Sequence, residues 1–290
     1  MIETRDDQFL WVEKYRPQNI DDCVLPESLK NTFKQYVAQG ELPHMLLCGT
    51  AGIGKTTLAK VLLNELGVEE FDILEINASR ENNVDTVREK IINFVQMMPF
   101  GPFKCVLLDE ADYLTPDAQA SMRGVMESYA MTSRFILTCN YPQKIIPALH
   151  SRCQGFHIQE TDIVSFTERC AKILINEKID FDLDTLDTYV KASYPDLRKT
   201  LNNLQQNCRD MKLHQPHQSD RDILDYKPKM VDLFKQGKIR DARKLVCENA
   251  RDEDYEELFR WLYDNINLFA KSEEQEERAL LVIRNALVNN

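Results

Sequence analysis

Short apolar runs alternate with amphipathic stretches through the first half of the chain. His44–Cys48, Asp72–Ile76, Cys105–Leu108 and Phe135–Cys139 are four such runs, and Gly155–Ile158 is a weaker fifth. Residues 55–66, 84–97 and 115–129 carry helical spacing between them. Runs this short and this apolar need cover on both faces, and intervening helices supply it. The pattern therefore predicts buried parallel strands joined by crossover helices. The fold class is α/β and doubly wound, with a five-stranded parallel sheet. After about residue 160 the pattern predicts no further strands. Ile163, Phe166, Cys170, Ile173 and Leu174 recur at helical spacing within 162–178, and 182–193 and 195–208 predict two more helices. The polar stretch His214–Ser219 predicts a linker, and helices resume from about 221. The expected organisation is an α/β domain at 1–159, a small helical domain at 160–220 and a second helical domain at 221–290.

Composition narrows the function classes. The 290 residues are 43% hydrophobic, enough for two or three cores. No apolar run is long enough to cross a bilayer, and Met1 to Gln8 is charged and polar, unlike a signal peptide. The 8 cysteines include no C-x-x-C pair, which argues against a zinc site or a disulfide framework and for reduced thiols in a cytoplasm. A net charge of -11 weighs against a simple nucleic-acid binder. It is compatible with an assembly whose few cations line one inner face.

The chemistry concentrates at the ends of the predicted strands. Gly49-Thr50-Ala51-Gly52-Ile53-Gly54-Lys55-Thr56 fits G-x-x-x-x-G-K-[ST], follows a strand and opens a helix. Such a loop turns backbone N–H groups onto phosphate oxygens, with the helix dipole in support. Lys55 is expected to reach the β- and γ-phosphates of ATP, and Thr56 to ligate Mg²⁺. Val106-Leu107-Leu108-Asp109-Glu110 ends in two carboxylates. Asp109 suits a Mg²⁺ contact through water and Glu110 a general base that polarises the attacking water. Asn140 ends the fourth strand beside them, as a water-orienting or phosphate-sensing group or as a plain turn residue.

Further boxes carry a resemblance. Trp11-Val12-Glu13-Lys14-Tyr15-Arg16-Pro17, Leu114-Thr115-Pro116-Asp117-Ala118-Gln119 with Met126-Glu127, Ser151-Arg152-Cys153 and Tyr194-Pro195-Asp196-Leu197-Arg198 follow in order. Together with the phosphate loop and the acidic strand they resemble AAA+ sliding-clamp loader subunits, the replication factor C small subunits and their phage relatives. The resemblance implies a P-loop ATPase domain, a helical lid and a helical collar that oligomerises subunits. It implies a DNA-replication hydrolase in which ATP binding drives clamp opening and gripping of primer–template DNA without regard to sequence, and hydrolysis releases the clamp. Tyr15, Arg16, Pro17 and Val24 would form the adenine side of the pocket, with Gly52, Ile53, Gly54, Lys55, Thr56 and Thr57 around the phosphates. Arg198 would contact the γ-phosphate from the lid, and Arg152 would reach the ATP of the next subunit in trans. An arginine supplied in this way neutralises charge on the transferring phosphoryl group. The bland alternative for Arg152 is a surface ion pair, and for Arg198 a helix-face charge.

Two partner surfaces follow from the same resemblance. After Asn77-Ala78-Ser79 the family carries an acid, an arginine and a glycine, but Asn82 and Asn83 stand at the arginine and glycine positions here. Arg80, Arg88 and Arg123 are the remaining candidates for DNA phosphate, or else solvated helix charges. Met97, Met98 and Phe100 sit beside prolines and a glycine where the helix before the acidic strand must end. The resemblance makes them the clamp-binding plug; a loop tucked onto the core is the alternative. The collar shows Leu258, Phe259, Leu262, Ile266 and Phe269 on one apolar face. The family collar continues with another helix after a stretch like Leu280 to Val288; here the sequence stops at Asn290, which implies a short or an incomplete collar. The implied partners are the clamp, DNA and other loader subunits in a homo- or hetero-oligomer, with no membrane. The implied compartment is the cytoplasm, a host's if phage-encoded, or a nucleus. Asp109-Glu110-Ala111-Asp112 also spells a helicase signature, so a helicase or branch-migration motor is the competing reading, and a non-hydrolysing scaffold the third.

Overall fold

The computed structural model describes residues 8–81, 84–158, 162–215, 226–250, 255–270 and 273–289. Asn82, Asn83 and the predicted linker beyond residue 215 lie outside them. The chain forms two compact units, Met1–His214 and Gln215–Asn290.

The first unit is built on five parallel strands: β1 (Met45–Cys48), β2 (Ile73–Asn77), β3 (Lys104–Asp109), β4 (Ser133–Cys139) and β5 (Gln154–His157). Their order is β2-β3-β4-β1-β5. All five match the predicted runs to within one or two residues. Alternation across the pleat divides each central strand between two cores. Leu46, Ile76, Val106 and Leu108 face α4 (Val84–Val95) and α5 (Pro116–Ser128), meeting Val87, Ile91, Met122 and Val125. Met45, Leu47, Leu107 and Ile136 face α2 (Glu27–Gln39) and α3 (Lys55–Glu65), meeting Phe33, Leu58 and Leu62. The periodicity did not predict α2, because its apolar stripe is narrow and only Phe33 is buried. The short α6 (Pro147–His150) leads into β5.

A second layer of this unit contains α7 (Ile163–Asn176), α8 (Leu183–Ser193) and α9 (Leu197–Asn207). Each starts on an aspartate whose carboxylate accepts an N–H three residues on: Asp162 from Ser165, Asp182 from Thr185, Asp196 from Lys199. Trp11, on the one-turn helix α1 (Trp11–Lys14), and Tyr15 belong to this layer's core, packed with Phe166, Cys170, Ile173 and Leu174. The expectation that strands end near residue 160 is corrected here. β6 (Cys208–Arg209) and β7 (Lys212–Leu213) form a small antiparallel hairpin. Its turn residues Asp210 and Met211 have φ of 51° and 58°, the paired positive values of a tight hairpin turn. Asp210 tolerates that conformation, but Met211 stands where a glycine is usual, so the sequence signal for the turn is weak.

The second unit contains α10 (Tyr226–Lys235), α11 (Ile239–Asn249), α12 (Tyr255–Asp264) and α13 (Glu273–Asn289). Met230, Val231, Ala242 and Leu258 are its buried core, with Leu262 and Phe269 partly buried against it. Phe259 and Ile266 are also half-buried. No helix among the described residues is long and apolar enough to cross a membrane.

Candidate nucleotide site

Parallel strands place all their carboxyl ends on one edge of the sheet, and the side chains that leave that edge form the site. The loop after β1 wraps from Gly49 to Gly54, and α3 begins at Lys55. Two glycines are forced by geometry. Gly54, the N-cap, has φ of 92°. Gly52 has φ of 75°, and a Cβ there would stand 1.9 Å from Asp196 Oδ1. The same aspartate caps α9, so that helix touches the phosphate loop directly.

Lys55 is almost buried. Its ammonium donates to Gly49 O (3.0 Å), Thr50 O (2.7 Å) and Asn140 Oδ1 (2.7 Å). Burial lowers its pKa from the ordinary lysine value, and the nearby Asp112 and Asp109 carboxylates work against that. Asp109 Oδ1 accepts two hydroxyls, Thr56 Oγ1 at 2.5 Å and Thr138 Oγ1 at 2.7 Å. Thr138 Oγ1 in turn accepts the Glu110 N–H at 3.0 Å. Glu110 itself sits at φ 57°, ψ 44°, an uncommon conformation for a residue with a side chain. Thr138 thus fixes both carboxylate residues at once. Asp112 fixes the third element: its Oδ2 accepts the N–H groups of Asn140 (3.2 Å) and Tyr141 (3.1 Å).

Beside the phosphate loop lies a largely apolar pocket. Tyr15, Arg16, Pro17, Val24, Gly52, Ile53, Gly54, Thr57 and Arg198 line it, every one anticipated. Val12, Cys23, Leu25, Leu58, Leu197 and Leu201 complete the lining and were not anticipated. The segment carrying Tyr15 is fastened to α7 and its end. Tyr15 Oη and Lys14 Nζ both donate to Glu177 Oε1 at 2.7 Å, and Arg169 Nη2 donates to Tyr15 O at 3.0 Å. Arg169 also pairs with Asp22 at 3.6 Å.

The residues fit a nucleoside triphosphate with a hard divalent cation. A lysine ammonium bonded only to oxygens, a helix N-terminus with free N–H groups and a glycine-only curvature form an anion cradle. The Thr56 hydroxyl and Asp109 carboxylate are oxygen donors of the kind Mg²⁺ uses. Among the described residues no cluster of three or more His, Cys, Asp or Glu side chains could hold a metal alone.

The remaining candidates lie elsewhere. Arg152 is outside the pocket lining: its Nε donates to Glu127 Oε1 at 2.9 Å, its Nη2 donates to the same oxygen, and its Nη1 donates to Ala148 O at 2.8 Å. This bonding holds the Glu127 carboxyl below the ordinary range. Arg123 reaches the same carboxylate at 3.7 Å, one helical turn along α5. Arg80, Arg88 and Arg123 are all exposed. Arg80 follows the carboxyl end of β2, while Arg88 and Arg123 lie on the adjacent helices α4 and α5. Met97, Met98 and Phe100 are 57%, 83% and 85% exposed, so this loop is not tucked onto the core.

Comparison with known proteins agrees with this geometry. A family model described as "ATPase family associated with various cellular activities (AAA)" matches residues 45–161. A replication factor C small subunit of Aeropyrum pernix is 43% identical over 202 residues, covering 68% of this chain and 62% of that protein's length. The Picrophilus torridus replication factor C small subunit is 38% identical over 245 residues, 82% of this chain and 77% of the relative. That of Methanococcus vannielii is 36% identical over 246 residues, 81% and 78%. In three dimensions the Thermotoga maritima RuvB Holliday junction branch migration motor aligns with a TM-score of 0.62 over 82% of this chain and 86% of that one. Its sequence identity of 16% makes this a likeness of fold.

Proposed function

The chain belongs to the replication factor C small-subunit family, and on that premise we propose that it is the ATP-hydrolysing subunit of a sliding-clamp loader. ATP binding closes subunit interfaces so that the assembly opens a clamp and grips primer–template DNA; hydrolysis then lets both go. The observation that carries this reading is the convergence on one sheet edge of Lys55, Asp109, Glu110 and Asn140, each in a defined hydrogen-bonded position. Lys55 and the loop N–H groups hold the β- and γ-phosphates. Thr56 and Asp109 would hold Mg²⁺, which supplies charge neutralisation at the phosphates. Glu110 takes the proton from the attacking water, and Asn140 orients that water or the γ-phosphate. Arg198 reaches the triphosphate from the lid.

Arg152 acts on the neighbouring subunit's ATP. Its Glu127 partner is half-exposed, and water screens exposed pairs of this kind, so a triphosphate outcompetes it. Arg80, Arg88 and Arg123 contact DNA phosphates without reading bases, and Met97, Met98 and Phe100 engage the clamp. The 1–159, 160–220 and 221–290 divisions serve as motor, lid and collar.

The test is ATP turnover by the purified chain, assembled with its companion subunits, with and without clamp and primed DNA. The proposal expects turnover to rise when both are added. Turnover that ignores both, together with strand unwinding in a helicase assay, would favour a DNA-remodelling motor instead.

A further inference from the structure

Two thiols that the nucleotide chemistry does not use meet at the root of the phosphate loop. β1 and β4 are neighbouring parallel strands, and their last residues, Cys48 and Cys139, stand opposite one another in register. Adjacent strands run about 4.8 Å apart, within the Cα separation that a disulfide spans. Both side chains are buried in the same core, and the Cys139 S–H donates to Cys48 Sγ at 3.4 Å. Both are free thiols.

Each of these cysteines is followed directly by a residue that holds Lys55. Gly49 follows Cys48 and Asn140 follows Cys139. The Lys55 ammonium donates to Gly49 O at 3.0 Å and to Asn140 Oδ1 at 2.7 Å. The Gly49 N–H also donates to Cys139 O at 3.2 Å, so the two strand ends are tied to each other as well. A shift of either sulfur is passed through one peptide unit to an acceptor of the phosphate-loop lysine. The pair is also chemically unequal. Donation from the Cys139 S–H holds the Cys48 thiol below its ordinary pKa despite burial, with the Lys55 charge in support, and the same bond raises Cys139. That makes Cys48 the nucleophile and Cys139 its resolving partner.

We propose that Cys48 and Cys139 form a reversible oxidation site whose disulfide disables the nucleotide cradle. The oxidant is hydrogen peroxide. The Cys48 thiolate attacks one peroxide oxygen: an S–O bond forms, the O–O bond breaks, and the leaving hydroxide takes up a proton as water. Cys139 sulfur then attacks the sulfenic sulfur: the S–S bond forms, the S–O bond breaks, and the second hydroxide leaves as water with the Cys139 proton. The two thiols lose two electrons, and the peroxide is reduced to two waters. A dithiol reductant reverses the step by exchange. Sulfurs 3.4 Å apart must close to a bond of about 2 Å, which draws the strand ends together and moves Gly49 and Asn140 away from Lys55. Burial slows the first attack, so the pair answers to sustained oxidant. The coupling to ATP rests on the reading of this loop as a phosphate cradle.

The experiment uses the full chain carrying Cys247→Ser, which removes the exposed thiol of the second unit. The protein is treated with hydrogen peroxide, blocked with N-ethylmaleimide in denaturant, digested with trypsin and read by mass spectrometry. Affinity for a non-hydrolysable ATP analogue is measured by calorimetry before oxidation, after it, and after dithiothreitol. The expected result is a peptide pair joined through Cys48 and Cys139, with a loss of affinity of about tenfold or more that dithiothreitol restores. Cys48→Ala and Cys139→Ala should each abolish the join and keep their own reduced-state affinity through peroxide treatment; if one folds poorly, the other carries the test. Absence of the joined pair, or a join to Cys153 instead, overturns the site. A join that leaves affinity unchanged, or a loss that persists in Cys48→Ala, overturns its control of the cradle. A chain that joins the two cysteines but never binds the analogue, even when reduced, refutes the nucleotide reading and leaves the thiol chemistry standing.

Discussion

Replacing Asp72 by asparagine should be among the most damaging single-atom changes in this chain, although Asp72 lies far from the nucleotide. The carboxylate accepts three hydrogen bonds, from the Phe100 and Gly101 N–H groups on Oδ2 and from Lys104 Nζ on Oδ1. An amide has one acceptor oxygen and one donor nitrogen. Either orientation turns its NH₂ onto a donor: onto the two backbone N–H groups or onto the ammonium. The Lys104 charge then stays buried, with only the Phe94 ring, 4.4 Å from its ammonium, as described compensation. Leaving one member of a buried pair uncompensated costs ~3–5 kcal/mol, against a total stability of ~5–15 kcal/mol. Adding Lys104→Met removes the orphan charge and should recover most of that loss, leaving about 1–3 kcal/mol for the mismatched N–H groups. Urea unfolding followed by Trp11 fluorescence, in a Trp261→Phe background, reads this unit alone. The pH dependence has a definite sign. Burial alone would raise the Asp72 carboxyl, but the Gly101 N–H and Lys104 outweigh it and hold the pKa below the ordinary value. A depressed folded-state pKa gives stability that is fully present above the unfolded value, about 4, and lost as pH falls through the folded one. The gap between wild type and Asp72→Asn should therefore be flat from about pH 5 to 8 and close only in stronger acid. A loss under about 1 kcal/mol, or a double variant no more stable than the single one, would refute the reasoning.

Three further outcomes are expected around the nucleotide. Glu110→Gln should bind ATP normally and lose about 10²–10⁴-fold in turnover, measured by single-turnover phosphate release. Thr138→Val removes the hydroxyl that joins Asp109 to the Glu110 N–H; kcat should fall about 10- to 100-fold while ATP affinity stays within about twofold, by steady-state kinetics and calorimetry. Gly52→Ala adds a Cβ at positive φ against Asp196, so ATP-analogue affinity should drop about tenfold or more by calorimetry.

The sheet was legible because its central strands are buried on both faces and read as unbroken apolar runs. The phosphate-loop and carboxylate residues were legible because they follow directly on the ends of these strands. Most of the side-chain partnerships that escaped share a cause, in that the partners are distant in sequence. Asp72 bonds residues 28, 29 and 32 positions away, and looks in sequence like the first residue of an ordinary strand run. Thr138 and Asp112 were visible within their motifs, but their roles lie in which backbone groups they hold. Arg169 and Glu177 belong to no motif, yet they fasten Tyr15 to α7 and its end. Tyr15 was expected at the adenine side; it lines the pocket beside the phosphate loop and, with Trp11, also fills the core of the α7–α9 layer. The Asp210–Met211 hairpin turn puts a methionine at positive φ, a residue that ordinarily avoids it, so the folded backbone reveals the turn.

The central claim is that each nucleotide is held by one chain and completed by the next chain's Arg152. Co-assembly of two inactive variants tests it most directly. Lys55→Ala keeps the arginine but cannot hold the phosphates, and Arg152→Ala keeps the cradle but supplies no arginine. Each alone should hydrolyse ATP far below wild type, by about 10³-fold or more for Arg152→Ala, whereas a mixture should regain a substantial fraction of wild-type turnover. Full activity of Arg152→Ala alone, or a mixture no more active than its components, would contradict the account.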